Sequence, residues 1–351
     1  MGAKPLLQLA AGPYAKRHLE QHGLRLADFE RFQAASGGPK WLAIAELDRE
    51  IWRQWHKAGR HRMDAIGASS GGWRTTALAC VDGDAAHRRL QQAYISFDAD
   101  ARPTQPQIEQ QIRQLIRQSL SRSGTHEVLN NGAWQTNLVA SQARRLGAST
   151  HKARIATALM LAAATNSVSR RSLDWHYRRV IFGVVDDSPY ATLTDLPTQF
   201  AALTEHNLED VLVATGSIPL LSAPVTNIAN APKGYYFDGG ISDYHFDIAP
   251  EPKKLTIYPH FINGAYAGWF DKFFPSRKKP ANFSHTLLLS PTQAFIEQLP
   301  LKKLPDRSDF GKIPDAQRKH NWHQAAALSE ALALEFRQLC SGESPLLIEA
   351  L

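Results

Sequence analysis

The chain has only two cysteines, Cys80 and Cys340, among its 351 residues. That excludes a disulfide framework and a thiolate metal site, and it suits a reducing compartment. Long hydrophobic runs are missing too. No apolar stretch reaches the ~20 residues that span a bilayer. The opening MGAKPLLQLAAGPYAK has an apolar run too short for a signal peptide, and Leu6 stands where myristoylation favours Ser or Thr. There is no internal repeat, no zinc-finger spacing, no aromatic RNA-binding motif and no long basic arm, so no nucleic-acid partner is expected. Acidic residues are in the minority, 33 against 40 Lys and Arg, giving a net charge of +7 and a pI near 9.4. That balance favours an anionic partner, and a phospholipid surface fits better than nucleic acid. The absences point to a cytoplasmic protein, at most peripheral to a membrane, with no metal and no cofactor.

What is present is a globular composition, 43% hydrophobic and 21% charged, in a chain long enough for one large core. Phe29 to Ala35 reads as a strand. Trp41, Ile44, Leu47, Ile51, Trp52 and Trp55 then recur at helical spacing. A short strand ends near Ile66, and residues 84 to 122 look helical. Within them Ile108, Ile112, Leu115, Ile116 and Leu120 share one face, as in an ordinary amphipathic helix. "RRVIFGVVDD" at 178 to 187, "KLTIYPHF" and "HTLLLS" read as further strands. A helix starts near Leu208, and another covers roughly 322 to 340. Strands alternating with helices predict an α/β fold, with helices layered on both faces of a central, mainly parallel sheet.

Three glycine turns interrupt this pattern. Ser36-Gly37-Gly38-Pro39-Lys40 lies between a strand and a helix start, where free backbone N–H groups can face an anion. Gly67-Ala68-Ser69-Ser70-Gly71 matches G-x-S-x-G at a strand-to-helix turn. Glycines there permit tight packing, and the Ser69 hydroxyl would project at a helix N-terminus. Asp238-Gly239-Gly240 follows the short strand "YYF". Asp-Gly is also a common turn pair, so this third turn gains meaning from the other two. An anion-binding loop, a serine and a carboxylate form a set suited to acyl transfer.

In their order, GG-x-K, then G-x-S-x-G, then D-G-G, these turns resemble the patatin-like phospholipase family. "ATGSIPLLSAPV" at 214 to 225 is similar to the stretch the family carries upstream of its D-G-G. The resemblance covers roughly residues 30 to 250. It implies a patatin-like core there, with a helical lead-in over 1–29 and a C-terminal extension, 251–351, packed on the same domain. It also implies a lipid acyl hydrolase of phospholipase A or lysophospholipase type, acting on a phospholipid or other acyl-ester lipid. Ser69 would be the nucleophile and Asp238 its base, with the Gly37 and Gly38 N–H groups as oxyanion donors. Lys40, Gly67, Gly71, Gly239 and Gly240 would support the motifs. Ser36 and Trp41 stand where the family loop usually has outer glycines.

Two other readings stay open at this stage. A Ser-Asp-His order would take its base from His245, His260 or His285. A non-catalytic relative would bind lipid or a protein partner. One more segment bears on lipid. In "GAYAGWFDKFFPSRKK", residues 264 to 279, Tyr266, Trp269, Phe270, Phe273 and Phe274 fall on one helical face, with Arg277, Lys278 and Lys279 following. Aromatics beside cations suit an anionic bilayer interface; a core helix with basic residues at its C-terminus has the same pattern.

Overall fold

Strands and helices alternate along the computed structural model, which describes residues 4–98, 103–184, 187–249, 254–264, 267–277 and 279–351. The strands are β1 (Leu7–Ala11), β2 (Phe29–Ala34), β3 (Met63–Ala68), β4 (Trp134–Ala143), β5 (Tyr177–Gly183), β6 (Thr198–Ala202), β7 (Val225–Thr226), β8 (Tyr235–Asp238), β9 (Leu255–Pro259), β10 (Thr286–Pro291) and β11 (Ile348–Ala350). The helices are α1 (Pro13–His22), α2 (Ala45–Lys57), α3 (Ser70–Leu78), α4 (Gly83–Ile95), α5 (Gln105–Leu120), α6 (Gly124–Leu129), α7 (Lys152–Val168), α8 (Leu208–Thr215), α9 (Gln293–Ile296), α10 (Asp315–Leu328) and α11 (Glu330–Ser341). One sheet runs in the order β11-β1-β10-β9-β2-β3-β4-β5-β6. Strands β10, β9, β2, β3 and β4 are mutually parallel. β1 and β5 join antiparallel, to β10 and β4. This is the layered α/β architecture with a mostly parallel sheet that the sequence predicts.

The three-part division cuts across this sheet. Residues 1–29 supply α1 but also β1, whose Leu7 and Leu9 enter the main core. Residues 251–351 supply β9 and β10, which lie inside the sheet, and β9 pairs directly with β2. Hydrogen bonding thus ties both ends of the chain to its middle. The last helix read from the sequence is two, α10 and α11. The helix read from Trp41 is also two pieces: a 3₁₀ segment, Gly38–Ile44, and then α2.

One local arrangement sets up everything that follows. β3 pairs along one edge of β4 from Met63↔Trp134 to Ala68↔Val139. β5 occupies the opposite edge. β8 takes over β3's edge one residue later and runs the other way, from Tyr235↔Ala143 to Asp238↔Ala140. The carboxyl ends of β3 and β8 therefore meet head to head on a single neighbour. At that point β3 must turn away into α3, and β8 must turn away into the glycine pair 239–240. Behind the turn, α3 is anchored by a buried ion pair. Arg74 Nε and Nη2 reach the two Asp48 carboxylate oxygens on α2 at 2.7 and 2.6 Å. Both residues are fully buried, so removing either partner alone would strand a charge.

Candidate functional site

Ser69 stands between β3 and α3 with φ 54° and ψ −132°, a conformation that L-residues rarely adopt. Three hydrogen bonds over-determine it. Its N–H donates to Thr215 Oγ1 at 2.9 Å, and Thr215 passes a 2.5 Å bond on to the Val139 carbonyl of β4. Its own carbonyl accepts from Gly72 N at 3.0 Å. The flanking glycines make the turn possible. A Cβ on Gly67 would lie 2.5 Å from the Gly71 backbone, and one on Gly71 would lie 2.0 Å from the Ala34 carbonyl. Ser69→Gly should therefore be more stable than Ser69→Ala by on the order of 1 kcal/mol, because only glycine relieves the strained φ. Urea unfolding of the two variants checks this, and equal midpoints would mean that the turn holds no strain.

The strand-end collision brings Asp238 to this serine. Ser69 Oγ donates to Asp238 Oδ2 at 2.7 Å, and Gly240 N donates to Asp238 Oδ1 at 2.7 Å. Both side chains are buried, yet both border a cavity. Burial pushes the Asp238 carboxyl up to about 6; the bonds from Ser69 and Gly240 and the positive charge of Arg307 pull the other way. Gly239 has to be glycine, since its Cβ would fall 2.1 Å from the Val139 carbonyl.

The loop at residues 36–40 closes over the same place. Ser36 Oγ donates to the Ala68 carbonyl at 3.1 Å, which ties the loop to the end of β3. Gly38 is left-handed, φ 57°. Gly37 is extended and is glycine for room: a Cβ would sit 2.3 Å from the Phe261 ring. No acceptor pairs with the N–H of Gly37 or Gly38 among the described residues. Lys40 lies 3.4 Å from Asp306 and over the Phe261 ring.

Two cavities meet at Ser69. One, of about 450 Å³, is mainly apolar and includes Trp73, Tyr94, Ile108, Ile112, Leu221 and Phe310. Two residues of the amphipathic α5 thus face a cavity. The other, of about 330 Å³, has a more polar wall that includes Ser36, Gly37, Lys40, Asp238, Tyr244 and Asp306. Thr215 and Arg307 are the site residues that the sequence passed over. Thr215 lies in the 214–225 stretch already singled out, although nothing local marks its bond to Ser69. Arg307 has no local signal at all.

Among the described residues no histidine bonds to Ser69 or Asp238. His260 is fully buried, accepts from Ile262 N at 3.0 Å and is pushed down to about 3 by burial. His245 packs on Tyr244 and His260. His285 stacks on Tyr14 of α1. The aromatic segment departs from its expected form. It makes short 3₁₀ turns, Trp269–Phe273 and Pro275–Arg277, instead of one continuous helical face, because Gly268 and Pro275 bracket it. Trp269 and Phe273 are 42% and 69% exposed, whereas Phe270 is buried. Arg277 is drawn inward to Asp271 at 3.1 Å, Lys279 is exposed, and Tyr266 and Lys278 lie outside the described residues. No helix among the described residues is long and apolar enough to cross a membrane.

Comparison with known proteins gives three findings. No curated protein matches the chain. Among solved structures, VipD from Legionella pneumophila is similar at 10% identity and a TM-score of 0.31, over 74% of this chain and 54% of VipD, so the chain spans about half of VipD's length. The model of the patatin-like phospholipases matches residues 50–246, which hold both Ser69 and Asp238. With more than half of its length matched, the chain belongs to the patatin-like phospholipase family.

Proposed function

We propose that this chain hydrolyses acyl esters of lipids through a Ser69–Asp238 dyad at a membrane surface. The observation that carries the reading is the 2.7 Å bond from Ser69 Oγ to a buried carboxylate where two cavities meet. Asp238 takes the hydroxyl proton as Ser69 Oγ bonds to the ester carbonyl carbon. The carbonyl oxygen becomes an oxyanion and is received by the N–H groups of Gly37 and Gly38, each worth on the order of 3 kcal/mol in the transition state. Pro39 has no N–H to add. Collapse breaks the bond to the alcohol, which leaves with the proton from Asp238. Water then attacks the acyl-serine and gives a proton to Asp238. Asp238 returns it to Ser69 Oγ as the acyl group departs as a carboxylic acid. The carboxylate has to start ionised, and a value near 6 leaves it ionised and basic enough at neutral pH.

Support for the membrane surface comes from the rim of the polar cavity. Leu159, Leu220 and Trp269 border it. Lys272 Nζ lies 4.7 Å from the Trp269 ring centroid and 4.8 Å from that of Phe273. Beside them α7 carries no charged residue from Ile155 to Val168, and exposes Met160 at 65% and Val168 at 87%. Lys152, Arg154 and Arg171 flank that stretch. An uncharged helical stretch with exposed apolar residues, bounded by cations, suits an anionic headgroup layer.

A fluorophosphonate probe tests the hydrolase reading. The probe should add covalently to Ser69, and peptide mapping should find none on the neighbouring Ser70. Labelling that persists in Ser69→Ala would move the nucleophile elsewhere. An unlabelled protein with no esterase activity would favour a lipid-binding relative.

A further inference from the structure

Arg307 sits on the segment between Pro305 and Gly311, beyond the part of the chain that the family model matches. It borders both cavities, as do Ser69 and Ile218. Its guanidinium overhangs the glycine loop: a Cβ on Gly38 would be 3.5 Å from Nη2 and 3.8 Å from Nε. Its charge is felt at Asp238 and at the Tyr94 hydroxyl. Yet it has no hydrogen-bond, ion-pair or ring partner among the described residues. Of the other cations near the site, Lys40 pairs with Asp306, Arg74 pairs with Asp48, and Lys272 packs over the Trp269 and Phe273 rings at the rim. Asp238 is already engaged by Ser69 and Gly240. One exposed arginine therefore borders both cavities next to the serine, with its guanidinium donors open to a ligand.

We propose that Arg307, seconded by Lys40, is an anion subsite on the leaving-group side of Ser69, and that it selects acyl esters whose alcohol carries a phosphate over neutral glycerides. The proposal rests on the hydrolase reading of Ser69 and Asp238. The acyl chain lies in the apolar cavity among Trp73, Ile108 and Phe310, and the alcohol lies in the polar one. Arg307, on their boundary, meets whatever is attached a few atoms beyond the ester oxygen. A planar guanidinium matches two phosphate oxygens at once, which an ammonium cannot do. Lys40 adds a second positive charge in the same wall, shared with Asp306.

Binding and turnover test this separately. In full-length Ser69→Ala, which binds without cleaving, decyl phosphate is titrated by calorimetry. Exchange of Arg307 for Gln in that background should weaken it about tenfold, the usual worth of one charge-assisted hydrogen bond, and Arg307→Lys should recover part of the loss. Decanol, with the same chain and no anion, should bind alike with or without Arg307. Inorganic phosphate should compete with decyl phosphate only while Arg307 is present. In the otherwise wild-type chain, assayed at pH 8.5 where Asp238 is ionised with or without the charge of Arg307, Arg307→Gln should lower kcat/KM about tenfold more on 1-decanoylglycerol 3-phosphate than on 1-decanoylglycerol. Equal losses on both esters, decyl phosphate binding that ignores Arg307, or phosphate competition that survives Arg307→Gln would overturn the subsite. Decyl phosphate binding that depends on Arg307, in a protein that cleaves no ester, would instead overturn the hydrolase reading and leave the subsite standing.

Discussion

Asp238→Asn is expected to lower ester hydrolysis about a thousandfold and, at pH 7.5, to raise the melting temperature. Both effects come from one carboxylate. Asparagine keeps the size of the side chain, and its oxygen can accept from Gly240 N while its amide donates to Ser69 Oγ, but it cannot take the serine proton. The stability gain follows from linkage. Burial raises the Asp238 pKa to about 6, whereas an unfolded aspartate titrates near ~3.9. Between these values the folded chain binds more proton than the unfolded one, so stability falls as pH rises. The group's full stabilising contribution is present below the unfolded value and is lost as pH passes through about 6. The loss is on the order of 3 kcal/mol. Asparagine escapes it, so the variant's advantage should be absent near pH 4 and complete above pH 7. Wild-type kcat/KM should mirror this, climbing through about pH 6 to a plateau. Melting curves and rates across that range are the measurement. An inactive variant with no gain in stability above pH 7 would mean that the carboxylate is well solvated, and its role as a tuned base would fail.

The turns that bring Ser69 beside Asp238 were legible in the sequence for a steric reason, and other parts of the fold were not. The Ser69 turn and the Asp238 turn are enforced by close backbone packing, locally between Gly67 and Gly71 and across the sheet from β2 and β4. Gly67, Gly71 and Gly239 have no room for a Cβ against backbone atoms, and such demands leave glycines in fixed places. β3, β8, β9 and β10 announce themselves as short apolar runs. β4 does not, although it is buried along its whole length and is the strand on which Ser69 and Asp238 meet. Its Gln135, Asn137, Ser141 and Gln142 look like surface residues. Most of their polar atoms are answered within the fold: Gln135 donates to the Asn131 and Gly132 carbonyls, and Asn137 donates to the Ala65 carbonyl at 3.1 Å and accepts from Ser188 at 2.6 Å. Periodicity reports contact with water, so a polar strand satisfied from within is invisible to it. α2 shows the converse. Its Glu46, Asp48 and Glu50 are buried because α4, α3 and α11 bring opposite charges to them, Arg88, Arg74 and Arg337, and Arg49 is buried against Glu46 of the same helix.

Arg307 and α7 escaped for related reasons. A single arginine in a Pro-Asp-Arg-Ser loop has no pattern, and its position over Gly38 comes from tertiary packing alone. α7 has no apolar stripe because from Ala158 to Ala164 apolar residues surround it on all sides. That uniformity is itself the clue, since a helix apolar all round belongs in a core or against lipid. This helix is only partly covered by protein, with Ile155, Ala158 and Ala162 turned inward.

The pair Met160→Ser with Phe273→Ala is therefore expected to cut activity on anionic vesicles about a hundredfold while sparing a water-soluble short-chain ester. The two side chains are 65% and 69% exposed, on α7 and on the adjoining 3₁₀ turn, and neither borders a cavity. Trp269 is left in place because it lines the polar cavity and its loss would disturb both assays. Burying a large apolar side chain is worth roughly 1.5–3 kcal/mol, so losing two that enter the headgroup layer removes on the order of 3 kcal/mol of partitioning, or about a hundredfold. The cations contribute separately. Lys272, Lys152 and Arg154 should make binding to anionic vesicles weaken with salt, at about 1 kcal/mol per residue near the surface at low ionic strength. Neutral vesicles should show the apolar loss without the salt dependence. Vesicle co-sedimentation alongside the two assays separates binding from turnover. Equal losses on vesicles and soluble ester would make these side chains part of the fold, and unchanged sedimentation would remove this face from the membrane.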